Sequence, residues 1–379
     1  MNLLTKLIAV LILWSVLLPL FTVFSYAKEE ETNMLSAKAA CLMDADSGRL
    51  LFGKNENIKL PMASTTKIMT AIIALESGIP LDYQFKIPQE AVGIEGSSIY
   101  LEKGEKTTLE ALLYGILLCS ANDASIATAL LVSDSVESFV NKMNQKAIDL
   151  GLNNTNFVNP HGLYADDHYT TAKDLALLMA YCIKNPKFAE ISGCIKKVFP
   201  KDDGNTRVMV NHNKLLKNNI GVIAGKTGFT KKSGRCLVTC AQRDGLRLVS
   251  VTLDAPNDWQ DHKNLFDFGF DNYKKIDLDA ISLSIPLVSG QKSNVLASSS
   301  SISITIPKEY EDIDIIIEAP RFLFAGASKG DQIGLVIYKY HGKLLASAPI
   351  LLCENADRIK YRFNLFEWFI NLFTKIKEK

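Results

Sequence analysis

Residues 68–75 read Ile-Met-Thr-Ala-Ile-Ile-Ala-Leu, an apolar run that a folded domain can place only inside its core. The helix it predicts has Ser64-Thr65-Thr66 as its first turn, followed at once by Lys67. A serine at a helix start has an ordinary role as an N-cap. The lysine gives it a second one. Three residues along a helix return to the same face, so Lys67 stands one turn above Ser64. A serine hydroxyl is a weak nucleophile until a base takes its proton. A lysine becomes that base when its pKa falls, and burial in an apolar helix and the positive N-terminal end of that helix both push it down.

Alone, S-x-x-K is a common string. Two further strings follow it in order. Ser120-Ala121-Asn122 comes after the apolar stretch 109–119, and Lys226-Thr227-Gly228 comes after Gly221-Val222-Ile223-Ala224-Gly225. Three short motifs in the order S-x-x-K, S-x-N and K-T-G are far more specific than any one of them. On these residues the chain resembles the low-molecular-weight penicillin-binding proteins, serine-type D-alanyl-D-alanine carboxypeptidases of the S11 peptidase type. The resemblance runs from about Ser36 to the C-terminus. It implies an α+β fold: a penicillin-binding/β-lactamase-like transpeptidase domain, with an antiparallel sheet and helices, followed by a small all-β domain and a C-terminal amphipathic helix.

The 379 residues are 47% hydrophobic and 22% charged, enough for two domains with real cores. A net charge of +1 argues against nucleic acid as a partner. Residues 1–27 read as a secretory signal peptide: Lys6 supplies a positive start, an apolar run follows, and Ser25-Tyr26-Ala27 is a small-x-small cleavage site. The mature chain is therefore expected outside the cytoplasm, at the outer face of the membrane or in the cell wall. Seven cysteines, an odd number with no C-x-x-C pair, read as core thiols.

In order along the chain, residues 39–52 predict a hairpin turning at Asp46-Ser47-Gly48, and residues 81–106 are turn-rich and strand-like. Residues 108–131 predict helix with a break at Ser120-Ala121-Asn122, and 138–150 a further amphipathic helix stopped by Gly151. Thr170 or Thr171 caps the next helix, with Asp174 completing a capping box. Residues 221–253 are β-rich, with Lys226-Thr227-Gly228 starting the strand that borders a cleft and Arg243-Asp244-Gly245 as a hairpin turn. A last helix is predicted at 259–273. The catalytic domain is thus placed at 35–275, the small β-rich domain at 276–355 and the amphipathic helix at 356–379. In that tail Phe363, Phe366, Phe369, Ile370, Phe373 and Ile376 recur at helical spacing, Trp368 and flanking Lys and Arg accompany them, and the run is too short to span a bilayer. It suits a membrane surface.

The resemblance implies acyl transfer. Ser64 attacks the terminal D-alanyl-D-alanine bond of a peptidoglycan stem peptide, D-alanine leaves, and water hydrolyses the acyl-enzyme; β-lactams trap the same serine. Lys67 is the base and Ser120 relays a proton to the leaving amine. Asn122 holds the substrate amide or Lys67, Lys226 supplies charge, and Thr227 meets the substrate carboxylate. Gly228 admits a close backbone approach. The backbone N–H groups of Ser64 and Phe229 form the oxyanion hole. No metal or organic cofactor is implied, and the spacing of His161 and His168 fits no metal-ligand pattern.

Four alternatives bear on this. A cross-link-cutting D,D-endopeptidase would use the same site. A class A β-lactamase shares the motifs but needs a glutamate for deacylation, and residues 138–189 contain none. A lipase would use Gly326-Ala327-Ser328-Lys329-Gly330, but a strand pattern follows where a helix is required, so that stretch is predicted to be a hairpin turn. A non-catalytic cell-wall binding protein would have no need of the serine and lysines.

Overall fold

The computed structural model describes residues 35–310 and 312–359. The predicted signal peptide and residues 360–379 of the predicted amphipathic tail lie outside them. The chain divides into two units, with the boundary between Tyr273 and Lys274. In chain order the first unit contains β1 (Ala39–Asp44), β2 (Leu50–Lys54), α1 (Lys67–Leu75), β3 (Gln84–Lys86), β4 (Lys106–Thr108), α2 (Leu109–Leu118), α3 (Asn122–Val132), α4 (Val136–Asp149), α5 (Ala172–Cys182), α6 (Pro186–Gly193), β5 (Lys196–Pro200), β6 (Thr206–Val210), β7 (Val222–Thr230), β8 (Gly234–Arg243), β9 (Leu246–Leu253) and α7 (Asp258–Asn272).

Five strands form an antiparallel sheet in the order β2-β1-β9-β8-β7. Side chains alternate across a strand, and here both faces are covered, so β1 is buried at all six residues. Ala39, Cys41 and Met43 enter one core with Cys236, Val238, Cys240, Val249 and Val251. Ala40 and Leu42 enter the other with Leu248, Leu265, Phe266 and Phe270, beneath α7. Between α7 and the sheet, His262 is fully buried and bonds Thr239 Oγ1 at 2.6 Å and Thr252 Oγ1 at 3.1 Å. Asp261, next to it, holds the start of the described chain by accepting from Ser36 N, Ser36 Oγ and Ala37 N.

On the first face, α1 packs against all of α2–α6 and is buried from Lys67 to Ala74. The helices around it start with side-chain caps: Thr108 for α2, Ser135 for α4, Thr171 for α5 and Asn185 for α6. Three expectations are corrected. Asp174 forms no reciprocal capping box; its carboxylate instead accepts from Asn154 N and Thr155 Oγ1. Lys226-Thr227-Gly228 lies inside β7, not at its start. Ser64-Thr65-Thr66 belongs to a 3₁₀ turn ahead of α1, and Ser64 caps nothing. The sequence pattern also missed α6 and the β5–β6 hairpin.

The second unit has a six-stranded sheet and a two-stranded one over its own core, which includes Ile285, Val295, Val336, Tyr338 and Ile350. Gly326-Ala327-Ser328-Lys329-Gly330 joins two strands, Leu323–Phe324 and Gln332–Tyr340, that do not pair with each other. It is therefore not the expected hairpin turn; nor does a helix follow, so no nucleophile elbow forms. Seven cysteines are free; Cys41, Cys182, Cys236 and Cys240 are core thiols, while Cys119 and Cys194 are half-buried and Cys353 is exposed.

Gly162 lies directly against the turn that carries Ser64. Its φ is +86°, and an added Cβ would come 1.9 Å from the Ala63 carbonyl oxygen and 2.9 Å from Thr66 Oγ1. Gly93 has a similar φ of +73° with open space around it. Gly93→Ala should cost only the left-handed strain, about 1–2 kcal/mol. Gly162→Ala must in addition displace the Ser64 turn, and we expect it to lower the thermal midpoint by several degrees more than Gly93→Ala. Equal midpoints for the two variants would contradict this packing.

Candidate active site

The serine turn is held from behind by a neutral histidine. Val158 N–H donates to His168 Nδ1 at 2.9 Å, so the ring proton is on Nε2. Nε2–H then faces Thr66 Oγ1 at 2.7 Å, and the Thr66 hydroxyl donates to Ala63 O at 2.8 Å. Burial and the nearby Lys67 lower the His168 pKa to about 4, which keeps the ring neutral. The chain at Ala63 turns through a φ of +47°, a conformation that this bonding has to hold.

Lys67 is fully buried and its Nζ meets three oxygens: Ser64 Oγ at 3.1 Å, Asn122 Oδ1 at 2.7 Å and His161 O at 2.5 Å. The amide orientation of Asn122 is fixed because its Nδ2 donates to Glu95 O at 2.6 Å. Desolvation by burial, with the charge of Lys226 adding to it, holds Lys67 well below the ordinary lysine value of 10.5. A neutral amine has two hydrogens and one lone pair. The carbonyl oxygens of Asn122 and His161 can only accept, so they take both hydrogens, and the lone pair is left for the Ser64 hydroxyl. That arrangement makes Lys67 an acceptor for the serine proton.

Lys226 is buried too, and donates to Ser120 Oγ at 2.9 Å and Thr227 O at 2.8 Å. Burial lowers its pKa to about 7. Ser120 sits at a φ of +59°, a strained position between α2 and α3 that aims its hydroxyl at Lys226. Asn122 begins α3, and its backbone N–H donates to Ser97 O at 2.7 Å. The adjacent Asp123, which sequence reasoning passed over, organises this wall. Its carboxylate accepts from Ser98 Oγ at 2.6 Å, Ile99 N at 3.2 Å and Leu101 N at 3.0 Å. The β5–β6 hairpin braces the same loop: Arg207 pairs with Glu105 through both guanidinium nitrogens and donates to Ile99 O.

Ser64, Ser120, Thr227, Gly228 and Phe229 open onto one cavity of about 350 Å³. The expected role of Gly228 changes here. A Cβ on it would lie 3.1 Å from Ser64 N and 3.2 Å from Ala63 Cβ, so the glycine lets β7 lie against the serine turn itself. The far wall was not anticipated: Arg235, Asp258 and Trp259. Arg235 is paired across the sheet with Phe229, a register visible only once β7 and β8 are aligned. His161 contributes its backbone carbonyl to Lys67, and burial pushes its imidazole pKa down to about 3.

Comparison with known proteins agrees with this architecture. A sequence profile of the S11 peptidase family, described as D-alanyl-D-alanine carboxypeptidase, matches residues 26–257. The chain is 32% identical over 364 residues to the D-alanyl-D-alanine carboxypeptidase DacF of Bacillus subtilis, covering 92% of this chain and 94% of that protein. It is 33% identical over 367 residues to the D-alanyl-D-alanine carboxypeptidase DacC of Escherichia coli, with 90% of each covered. Among solved structures it resembles penicillin-binding protein 5 from Haemophilus influenzae, with a TM-score of 0.76, 29% identity, and 86% of this chain and 98% of that one covered. The chain therefore belongs to the D-alanyl-D-alanine carboxypeptidase family of serine-type hydrolases.

Proposed function

We propose that this chain removes the terminal D-alanine from peptidoglycan stem peptides through an acyl-enzyme on Ser64, and that β-lactams acylate the same oxygen. The observation that carries the reading is the buried Lys67 Nζ, 3.1 Å from Ser64 Oγ, with carbonyl oxygens as its other two partners. As Ser64 Oγ bonds to the carbonyl carbon, its proton passes to Lys67 Nζ. The developing oxyanion is met by the N–H groups of Ser64 and Phe229, brought together by the close approach at Gly228. The C–N bond then breaks: Ser120, held by Lys226, hands a proton to the departing D-alanine nitrogen and recovers one from the Lys67 ammonium, which returns to the neutral amine. Water hydrolyses the ester with Lys67 again taking a proton. Thr227 faces the substrate from the cavity wall, and Asn122 keeps Lys67 oriented. The signal-like start and the amphipathic C-terminal segment support a site of action outside the cytoplasmic membrane, with the tail lying on its surface.

The reading is tested with a muramyl-type pentapeptide ending in D-alanyl-D-alanine, followed by mass spectrometry. Loss of one alanine is expected, together with a stable penicillin adduct, and both should vanish in Ser64→Ala. An uncut pentapeptide alongside cleavage of cross-linked peptide would instead indicate an endopeptidase, and neither reaction would indicate a binding protein.

The lysine predicts a pH profile. The base works only as the neutral amine, so the rate of Ser64 acylation should fall tenfold per pH unit below the Lys67 pKa. Because burial depresses that pKa, the fall should begin well under 10.5. Lys67→Arg cannot deprotonate, and should lower the acylation rate by about 100- to 10,000-fold and abolish this acid limb. An acid limb retained in the variant would reassign the base.

A further inference from the structure

The second unit exposes two aromatic rings that its core does not use. The short edge strand Leu323–Phe324 runs parallel to Ser282–Val288, with Leu287 opposite Leu323 and Val288 opposite Phe324. Side chains alternate across a strand. Leu323 packs on the core of this unit and Ala325 is buried, so Phe322 and Phe324 point the other way. They are 51% and 68% exposed, and the two rings meet edge to face with centroids 5.6 Å apart. Val288 and Ile359 are exposed at the same end of the sheet. An apolar cluster left on a surface marks a contact with something else.

Where the chain leaves this unit identifies the partner. Arg358 and Ile359, the last residues described, are fastened to the aromatic end. Arg358 Nε donates to Ala325 O at 3.0 Å, Ile359 N to Ser289 O at 3.1 Å and Gln291 N to Asp357 O at 2.9 Å. The segment read above as a membrane-surface helix begins at once. Phe363, the first residue of its apolar repeat, comes four residues after Ile359, and four residues of chain reach at most about 14 Å. A tail lying on a bilayer therefore keeps Ile359, and with it the Phe322–Phe324 end, close to the lipid. The tail's charges suit an anionic surface: Lys360, Arg362, Lys375, Lys377 and Lys379 outnumber Glu367 and Glu378. Beside the rings, Arg321 and Lys329 are exposed, Asp331 accepts from Ser328 N, and Lys292 pairs with Glu354.

We propose that Phe322 and Phe324 are a second membrane contact, inserting at the interface of an anionic phospholipid bilayer beside the tail. The proposal rests on the reading of the tail given above and goes beyond it. A contact tethered so near the first adds affinity at little further entropic cost. Two contacts also fix the tilt of the β-rich unit on the membrane, which a single tether leaves free.

The test uses the chain from Lys28 to Lys379 and vesicles of equal parts phosphatidylglycerol and phosphatidylethanolamine, with binding read by co-sedimentation. Phe322→Ser combined with Phe324→Ser is compared with the parent, with Phe366→Ser combined with Phe369→Ser in the tail, and with Ile315→Ser combined with Ile317→Ser. These isoleucines are exposed on the opposite edge strand, Asp314–Glu318, and control for lost apolar surface. We expect the Phe322 and Phe324 pair to weaken binding about 10- to 100-fold. The isoleucine pair should stay within about threefold of the parent. Phe324→Trp, which keeps an aromatic ring, gives a second readout. Made in Trp368→Phe, it should be quenched by brominated lipid beyond the Trp368→Phe protein alone. Unchanged binding in the Phe322 and Phe324 pair, or no added quenching in Phe324→Trp, would overturn the proposal. If only the tail pair weakens binding, the tail reading stands and the second contact fails. If only the Phe322 and Phe324 pair weakens it, the second contact stands and the tail reading fails. A parent that ignores the vesicles overturns both.

Discussion

Everything at the site depends on a lysine that the fold refuses to hydrate. Lys67 opens a helix buried along its length, and a charged ammonium there costs several kcal/mol of lost hydration. The protein does not offset this with a carboxylate in contact. It provides two carbonyl oxygens, from Asn122 and His161, and a hydroxyl. It is the burial, with the charge of Lys226 adding to it, that disfavours the ammonium there. Burial lowers the basicity, and in the neutral amine the two carbonyl oxygens direct the lone pair to Ser64. Ordinary lysine would be protonated at neutral pH and useless as a base.

The surrounding elements can be understood as the means of keeping that arrangement in place. Helix α1 is enclosed by five others, so the lysine cannot relax towards water. The His161 carbonyl comes from a loop that Gly162 lets press on the Ser64 turn, and His168 bonds the back of that turn through Thr66. Asn122 is fixed through Glu95 and Ser97, and the loop continuing from Ser97 is tied down by Asp123 and Arg207. Strand β7 then brings Lys226 and Gly228 over the opening. Each contact joins segments distant in sequence, so the site exists only in the folded domain.

Much of this was legible in the sequence, for identifiable reasons. Apolar runs separated by glycine-containing turns marked β1, β8 and β9, and the unbroken run after Lys67 marked the central helix. The motif residues were legible because their chemistry is local: serine three residues before lysine, serine two before asparagine. What stayed hidden was relational. The bracing by Asp123 depends on a loop more than twenty residues upstream. Arg235 meets Asp258 only because β8 and the start of α7 converge. The β5–β6 hairpin alternates weakly and lies half-exposed, so no periodicity announced it. Lys226 was placed at the start of its strand, whereas β7 already runs from Val222.

The most direct measurement is the ionisation of Lys67 in the free enzyme. Lysine labelled with carbon-13 at Cε would be followed by NMR through a pH titration, with the Lys67 resonance assigned by its absence in Lys67→Arg. The account predicts a midpoint well below the ordinary value of 10.5, shifting upward when the neighbouring charge is removed in Lys226→Gln. A Lys67 that titrates with the exposed lysines would mean an ammonium beside Ser64 at neutral pH, and would contradict the proposal that this lysine activates the serine.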